Sequence, residues 1–200
     1  MNKPSMTNAN KKIRFLIPAA LFAALTAIGA YIKIPLPPVP VSLQTFFVVL
    51  SGLLLGSYYG STSQILYVTM GLIGLPVFVE GGGLFYIVKP TFGYLVGFIF
   101  CAYTIGRLVH GKNRELSLQH ALHNLQNASS RKIVLACTAG FVAIYIPGVF
   151  YLYFISHFYL SNGLTFLQAL IGGCLYFLIW DIVKIVLILL FVKFYAKKAV

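Results

Sequence analysis

Apolar residues fill most of this chain in long runs, which short polar or proline-rich stretches interrupt. A helix needs about 20 mostly apolar residues to cross a bilayer core of roughly 30 Å. Runs of this kind recur from one end of the sequence to the other. The pattern predicts an all-α integral membrane protein, a single domain over residues 1–200 that forms a compact bundle of six transmembrane helices. The predicted spans are residues 15–32, 43–55, 61–79, 84–109, 133–154 and 165–192.

Composition supports this interpretation and narrows the possible chemistry. Hydrophobic residues make up 60% of the chain and charged residues 9%, which is typical of a polytopic membrane protein. The nucleotide-binding pattern Gly-x-x-x-x-Gly-Lys-Ser/Thr does not occur in the sequence. If ATP drives transport here, another subunit must therefore hydrolyse it. Cys101, Cys137 and Cys174 lie far apart in apolar segments without metal-ligand spacing, so we expect neither a metal nor a cofactor.

The net charge of +12 indicates an orientation rather than a nucleic-acid partner. Lys and Arg cluster in the N-terminal tail, around residues 107–132 and after residue 192. Each cluster lies beside an apolar span, as the positive-inside rule describes, and no soluble basic module is visible. With six spans, all three clusters fall on one side. We therefore predict that both termini and the loop over residues 110–132 are cytoplasmic.

The most informative chemical feature is an acid and a base inside the last apolar run. Asp181 and Lys184 are spaced i, i+3, which puts both side chains on one face of a helix. A charge at bilayer depth costs about 2.5–3.5 kcal/mol on insertion scales, so such residues are usually paired and functional. The pair is either a structural ion pair or a ligand site, in which the carboxylate accepts hydrogen bonds from ring N–H groups.

A proline-rich loop follows the first predicted span and leads into Gln44 and Thr45. Its four prolines within residues 35–40 cannot continue a helix and favour stiff, extended backbone. The loop is either a lid over a site that contains Gln44 and Thr45 or a rigid connector.

A second loop, over residues 76–94, combines backbone, charge and aromatic rings. Three consecutive glycines expose backbone polar groups, and two tyrosines offer flat faces with hydroxyl tips. This combination is suited to holding a small, partly polar ring, although a flexible turn with interfacial aromatic residues has the same composition. The candidate ligand-binding residues here are Glu80, Gly81, Gly82, Gly83, Tyr86, Lys89 and Tyr94.

Small residues form a stripe along the first span. Ala19, Ala23 and Ala27 recur at every fourth position, which allows another helix to approach closely. That helix belongs either to a partner subunit that docks here or to the same bundle.

Several of these motifs together resemble the BioY family, the substrate-binding S components of biotin transporters. The similarity is carried by the loop Ile34-Pro-Leu-Pro-Pro-Val-Pro-Val-Ser-Leu-Gln-Thr45, the segment Gly71-Leu-Ile-Gly-Leu-Pro-Val-Phe78, the glycines 81–83, the run Pro90-Thr-Phe-Gly-Tyr-Leu-Val-Gly97 and the motif Trp180-Asp181-x-x-Lys184. It covers the first four spans almost continuously and the last span by its charged motif.

The resemblance implies a high-affinity biotin-binding subunit of a bacterial cytoplasmic (inner) membrane. Such subunits can dock to an energy-coupling module with a transmembrane T component and two ATPases, and the alanine stripe matches the docking surface. Asp181 would accept from a ureido N–H of biotin, Lys184 would meet its carbonyl or its carboxylate, and Lys89 is a second candidate for the carboxylate. Tyr86 and Tyr94 would supply apolar walls for the bicyclic ring.

Three alternatives remain open from the sequence. The chain could be an S component for another vitamin, but the loop after the first span and the motif of the third span favour biotin. Nothing excludes a carrier that works alone. A membrane-embedded enzyme with Asp181 as general acid or base is the third alternative. It is disfavoured because such enzymes usually need several acidic residues or histidines, and this chain has one intramembrane aspartate.

Overall fold

Helices make up nearly all of the structure, a computed structural model that describes residues 8–112, 117–160 and 163–196. Among these residues, four helices are long and apolar enough to cross a membrane, and the segment Phe15–Tyr31 is a shorter apolar helix. The prediction of a helical, multi-pass membrane protein is therefore confirmed. The helices are α1 (Asn8–Tyr31), α2 (Gln44–Leu72), α3 (Phe92–His110), α4 (Leu118–Asn127), α5 (Ser130–Phe154), α6 (Phe166–Leu170) and α7 (Tyr176–Phe191).

Helix α2 reverses direction at Gly56, where φ is 74° and ψ is −174°. Glycine adopts a positive φ without the steric cost that a Cβ imposes. Beyond the break the two halves run side by side, since Gln64 Nε2 donates to Ser51 Oγ at 3.2 Å and Gln44 Nε2 donates to the Tyr67 hydroxyl. The sequence predicts these halves as two spans, residues 43–55 and 61–79, but the second half ends at Leu72.

The start of α3 differs from the prediction, which began the fourth span at residue 84. Residues Leu84–Val88 form a separate 3₁₀ helix, and Lys89 is extended with ψ at 140°. The residue before a proline is disfavoured in the helical region, so Pro90 separates the two elements. Helix α3 begins only at Phe92.

Close backbone contacts hold α2, α3 and α5 together. A Cβ added at Gly52 would lie 2.7 Å from the Ala102 carbonyl oxygen, and one at Gly97 would lie 2.7 Å from Ile144 Cα. At Gly106 an added Cβ would collide with the backbone of the turn at Gly56. Glycines at these crossings thus allow the approach that small residues give to membrane helices.

Helix α1 packs against α2 through the alanine stripe, which corrects one prediction. Ala19 and Ala23 are buried within this chain and Ala27 is partly buried, so the stripe faces the bundle rather than a partner. The neighbouring Ala20 and Ala24 are the exposed alanines. A period of four residues shows which side chains share a face, but not which face the bundle covers.

The last span lies at the edge of the bundle. Wide π-helical turns at Ile171–Leu175 and Val192–Ala196 extend α6 and α7 into one continuous element. Thr165 and Gln168 form a capping box at its start. Only 28% of its most apolar window is buried, compared with 67% for α2, so most of its surface faces outward.

The proline-rich loop folds over one end of the bundle. Its flanks form a small antiparallel pair, β1 (Lys33–Ile34) with β2 (Val41–Ser42). Lys33 Nζ donates to the Val79 carbonyl, which links this loop to the second loop between α2 and α3. A Cβ at Gly172 would lie 2.7 Å from Pro38 Cδ, so the loop also rests on the last span.

Candidate ligand-binding site

A cavity lies beneath these two loops, between α2, α3, α5 and α7. Its free volume is about 50 Å³, which is space for a few water molecules. Loop residues, including Val39, form its roof. The helical side chains that line it come from the starts of α2 and α3, the middle of α5 and the middle of α7: Gln44, Thr45, Tyr94, Leu95, Phe98, Ile144, Tyr145, Phe177, Asp181 and Lys184.

The acid and base predicted from the sequence meet in this cavity. Lys184 Nζ lies 3.4 Å from Asp181 Oδ1, and both side chains are buried. Lys184 Nζ also donates to Thr45 Oγ1 at 2.6 Å, while the Tyr145 hydroxyl donates to Asp181 Oδ2. Each charged group therefore has a second partner from another helix, as buried charges require.

Both groups retain hydrogen-bonding capacity beyond these contacts. A carboxylate offers about four lone-pair positions, and Lys184 and Tyr145 use two of those on Asp181. An ammonium group has three donors, of which Asp181 and Thr45 take two. A ligand with both N–H donors and an acceptor can consequently bind to both residues at once.

Aromatic rings form the walls beside this pair. Tyr86, Tyr94, Phe98 and Phe177 are buried lining residues. The Tyr94 hydroxyl donates to the Gly173 carbonyl at 2.8 Å, and the Tyr86 hydroxyl accepts from Thr91 Oγ1 at 3.1 Å. Because these hydroxyl groups have partners, the rings themselves are available as apolar surfaces.

Gln44 is held in place by its neighbours rather than left free. Ser42 Oγ donates to Gln44 Oε1 at 2.8 Å, and Gln44 Nε2 donates to the Tyr67 hydroxyl. Tyr67 in turn donates to the Val77 carbonyl at 3.0 Å. This chain of bonds joins the proline-rich loop, both halves of α2 and the second loop, so Gln44 connects the roof of the cavity to its walls.

Five residues predicted for the site do not line the cavity, and that part of the prediction is corrected. Glu80 and Lys89 form an exposed ion pair with each other, 3.3 Å between Oε2 and Nζ. Glycines 81–83 instead return the loop to the end of α2, where the Gly83 amide donates to the Gly71 carbonyl at 2.7 Å. Composition showed that the loop was unusual, but not which of its side chains point inward.

The sequence also missed lining residues from other helices, above all Tyr145. This tyrosine lies in the apolar run of α5, where a hydroxyl group needs a partner. That signal was available, but pairing it with Asp181 requires knowledge of which helices are adjacent. Phe98 and Phe177 gave no signal, because phenylalanine is common throughout the chain.

The residues of the cavity are suited to binding an organic ligand. Among the residues that the structure describes, no group of three His, Cys, Asp or Glu side chains could hold a metal ion. The lining instead combines one acid, one base, six uncharged hydroxyl groups and five aromatic rings. A small heterocycle with N–H groups and an apolar part fits this set.

Comparison with known proteins identifies the family. The model of the BioY family matches residues 2–200. This chain belongs to the BioY family. BioY proteins are transporter components rather than enzymes, so the enzyme alternative is not supported, and the family expected from the sequence motifs is confirmed.

Individual relatives agree with this assignment. The probable biotin transporter BioY of Lysinibacillus sphaericus is 44% identical over 69% of this chain and 64% of that protein, a match of just under two thirds of its length. The biotin transporter BioY of Thermotoga maritima is 39% identical over 87% of this chain and 90% of that protein. A crystal structure of the S-component for biotin from an ECF-type ABC transporter superposes with a TM-score of 0.73, at 27% identity over 94% and 93% of the two chains.

Proposed function

We propose that this BioY protein is the high-affinity biotin-binding membrane subunit of a biotin uptake system. The observation that carries the proposal is the buried Asp181–Lys184 pair, which opens into an aromatic-lined cavity. Relatives that are called biotin transporters support it. Biotin is the ligand proposed for this cavity, and the proposal includes no cofactor.

The chemistry of biotin matches the cavity group by group. Asp181 accepts a hydrogen bond from a ureido N–H, and the free donor of Lys184 binds the ureido carbonyl or the valerate carboxylate. Tyr86, Tyr94 and Phe177 pack on the bicyclic ring and its sulfur. Because the free volume is only about 50 Å³, the cavity must widen to hold biotin.

Equilibrium binding in detergent tests the ligand. Purified protein is titrated with biotin, thiamine and riboflavin, and biotin is expected to bind at least a hundredfold more tightly than either of the others. Equal binding of the three, or tighter binding of thiamine or riboflavin, would assign the cavity to another vitamin. A biotin derivative that is methylated on both ureido nitrogens serves as a matched control and should bind more weakly, because it lacks the donor that Asp181 needs.

Coupling to an ATP-driven module, a T component with two ATPases, is part of the same proposal. The absence of a nucleotide-binding motif from the sequence supports it. The exposed Ala20 and Ala24 are a better docking surface than the buried stripe at Ala19 and Ala23. Uptake of labelled biotin in cells with and without the module distinguishes coupled transport from a solitary carrier.

The proposed topology has six spans, with the two halves of α2 as the second and third, in a bacterial cytoplasmic membrane. Phe15 of α1 and Leu118 of α4 line one shared cavity, so the first basic region lies at the same end as the residues after α3. Lys3, Arg114, Lys197 and Lys198 lie outside the described residues. The positive-inside rule puts this basic end in the cytoplasm.

Cysteine labelling of intact cells tests the orientation. Gln119→Cys and Thr165→Cys place thiols at exposed positions on opposite ends of the bundle. A membrane-impermeant maleimide is expected to label the Thr165→Cys variant from outside, and the Gln119→Cys variant only after the membrane is broken. The reverse result would invert the proposed topology.

A further inference from the structure

A second cavity, separate from the candidate site, opens between α7 and the start of α5. Its volume is about 520 Å³, and we refer to it as the α5–α7 groove. Apolar side chains line most of it, and the floor is buried while the wall contributed by α7 is open to the outside. The floor consists of Leu125, Ile133 and Val192, and the wall of Val186, Leu189 and Leu190.

Polar groups lie at one end of this groove. Lys193 lines the groove and is exposed. Ser130 lines it as well and is the first residue of α5, where the Ser129 hydroxyl caps the helix by accepting from Lys132 N at 3.2 Å. Amides of a first helical turn lack intrahelical partners and carry partial positive charge. The aliphatic groove therefore ends in a cation and a positive helix terminus.

The chain provides no anion for these groups within the described residues. Glu80 and Asp181 are the acidic side chains there, and each forms its salt bridge with a lysine of the two loops or the cavity. Lys193 and the neighbouring Arg131 have no salt bridge in that part of the chain. No acidic side chain of the described residues neutralises their positive charge.

Shape and charge together select the occupant. The groove lies on an outward-facing helix of a membrane protein, where acyl chains are the surrounding solvent. From Val186 to Lys193 the helix rises about 10 Å, which matches part of one acyl chain. Basic pockets between transmembrane helices bind the headgroups of anionic lipids. A zwitterionic lipid would bring its own cation close to Lys193 and is less suitable.

We propose that the α5–α7 groove binds an anionic phospholipid. One acyl chain lies along Leu189 and Leu190, and the phosphate lies between Lys193 and the first turn of α5. The lipid fills the space beside the last span, which is the least buried of the four long apolar helices described and also carries Asp181 and Lys184. Bound lipid therefore stabilises the position of α7, whichever ligand the candidate site takes.

The test compares phosphatidylglycerol with phosphatidylcholine of the same acyl chains, added to the purified protein in detergent. Native mass spectrometry counts retained lipids, and a thermal unfolding scan gives the midpoint. We expect phosphatidylglycerol to be retained at one molecule per protein and to raise the midpoint by several degrees more than phosphatidylcholine does. Equal retention and equal shifts for the two lipids would overturn the proposal.

Two variants, each with a matched control, locate the site. Lys193→Glu removes the cation and should abolish the difference in retention and in midpoint shift between the two lipids. Lys112→Glu makes the same charge change on another exposed lysine and should preserve that difference. Leu190→Trp fills the groove without altering charge and should displace the lipid. Leu187→Trp, at an exposed position of α7 that does not line the groove, should not.

Each other outcome of these experiments also either supports or contradicts a lipid in the groove. Loss of lipid from Leu190→Trp but not from Leu187→Trp supports the proposal even if Lys193→Glu does not fold. Retention of phosphatidylglycerol by both groove variants refutes it. A midpoint shift with glycerol phosphate alone would identify a phosphate site without an acyl chain, and dimers that Leu190→Trp dissociates would identify a second copy of the chain as the occupant. Either result contradicts a lipid site.

Discussion

Two ion pairs of this protein have almost the same length and entirely different surroundings. Lys89 and Glu80 are 3.3 Å apart, with side chains that are 50% and 42% exposed. Lys184 and Asp181 are 3.4 Å apart, with side chains that are 8% and 6% exposed. Exposed pairs contribute about 0–1 kcal/mol, whereas breaking a buried pair costs several times more. Burial, rather than distance, therefore distinguishes the pair in the candidate site from the pair in the loop.

The partners of each pair lead to the same conclusion. Tyr145 and Thr45 come from α5 and α2 to bind the two buried charges on α7. These bonds join an outward-facing helix to the glycine-packed centre of the bundle. The exposed pair links two positions in one loop.

The largest effect is expected from breaking the buried pair. Lys184→Met leaves Asp181 buried without its cation and should lower the free energy of unfolding by about 3–5 kcal/mol. Adding Asp181→Asn to this variant removes the second charge and should recover most of the lost stability, although biotin binding should be weaker than in the unchanged protein. Denaturation in mixed micelles measures both variants. A double variant as unstable as the single one would show that the charge imbalance is not the cause.

Asp181→Asn alone tests whether the carboxylate meets the ligand. Asparagine keeps the size but has one oxygen where Asp181 uses two, Oδ2 for Tyr145 and Oδ1 for Lys184. The variant should therefore be less stable than the unchanged protein, and gel filtration checks that it is folded before binding is measured. The hydrogen bond from the biotin N–H to the charged carboxylate contributes about 1.5–3 kcal/mol to binding, so its loss should weaken biotin binding roughly 10- to 150-fold. Equilibrium titration gives the dissociation constant. An unchanged value in a folded variant would leave the pair with a structural role only.

Tyr145→Phe removes one donor from the same carboxylate. The buried Asp181 Oδ2 loses its partner, which should cost about 1–3 kcal/mol of stability and also weaken biotin binding. Tyr103→Phe, at an exposed tyrosine of α3, is the matched control and should change neither. Identical unfolding curves for the two variants would contradict the role assigned to Tyr145.

Neighbouring alanines on α1 extend the contrast between buried and exposed positions. Ala23→Trp overfills a closed interface and should cost about 1–3 kcal/mol of stability, with binding reduced as well. Ala24→Trp adds the same ring on the exposed side. It should leave stability and biotin binding intact but abolish uptake in cells that contain the coupling module. Normal uptake by the Ala24→Trp variant would exclude this face from docking.

The smallest effect is expected at the exposed pair. Glu80→Gln should change the free energy of unfolding by no more than about 1 kcal/mol, because water solvates both side chains. Biotin affinity should stay the same, as the same titration will show. A loss of affinity comparable with that of Asp181→Asn would show that Glu80 contributes to biotin binding.

The sequence was most informative about the site at residues whose burial in the membrane costs the most free energy. A charge in an apolar run is expensive, so Asp181 and Lys184 could be recognised without knowledge of the fold. Charged side chains such as Glu80 and Lys89 cost little free energy in an exposed loop. The composition of the loop therefore could not show whether these side chains point toward the cavity or toward water. Tyr145 could be found only once α5 and α7 were known to be neighbours. The alanines showed the period of α1 but not its orientation, which depends on the rest of the bundle.

The reversal at Gly56 has a consequence for the biogenesis of the protein. At 1.5 Å per residue, the halves on either side of it are about 18 and 24 Å long, shorter than a hydrocarbon core of roughly 30 Å. Gln64, in the second half, finds its long-range partners in Ser51 and Thr26. Since an unpaired amide in hydrocarbon is costly, neither half is suited to enter the bilayer alone. We therefore expect the insertion machinery to release the 29 residues of α2 as one folded hairpin, after α1 is in place to receive it.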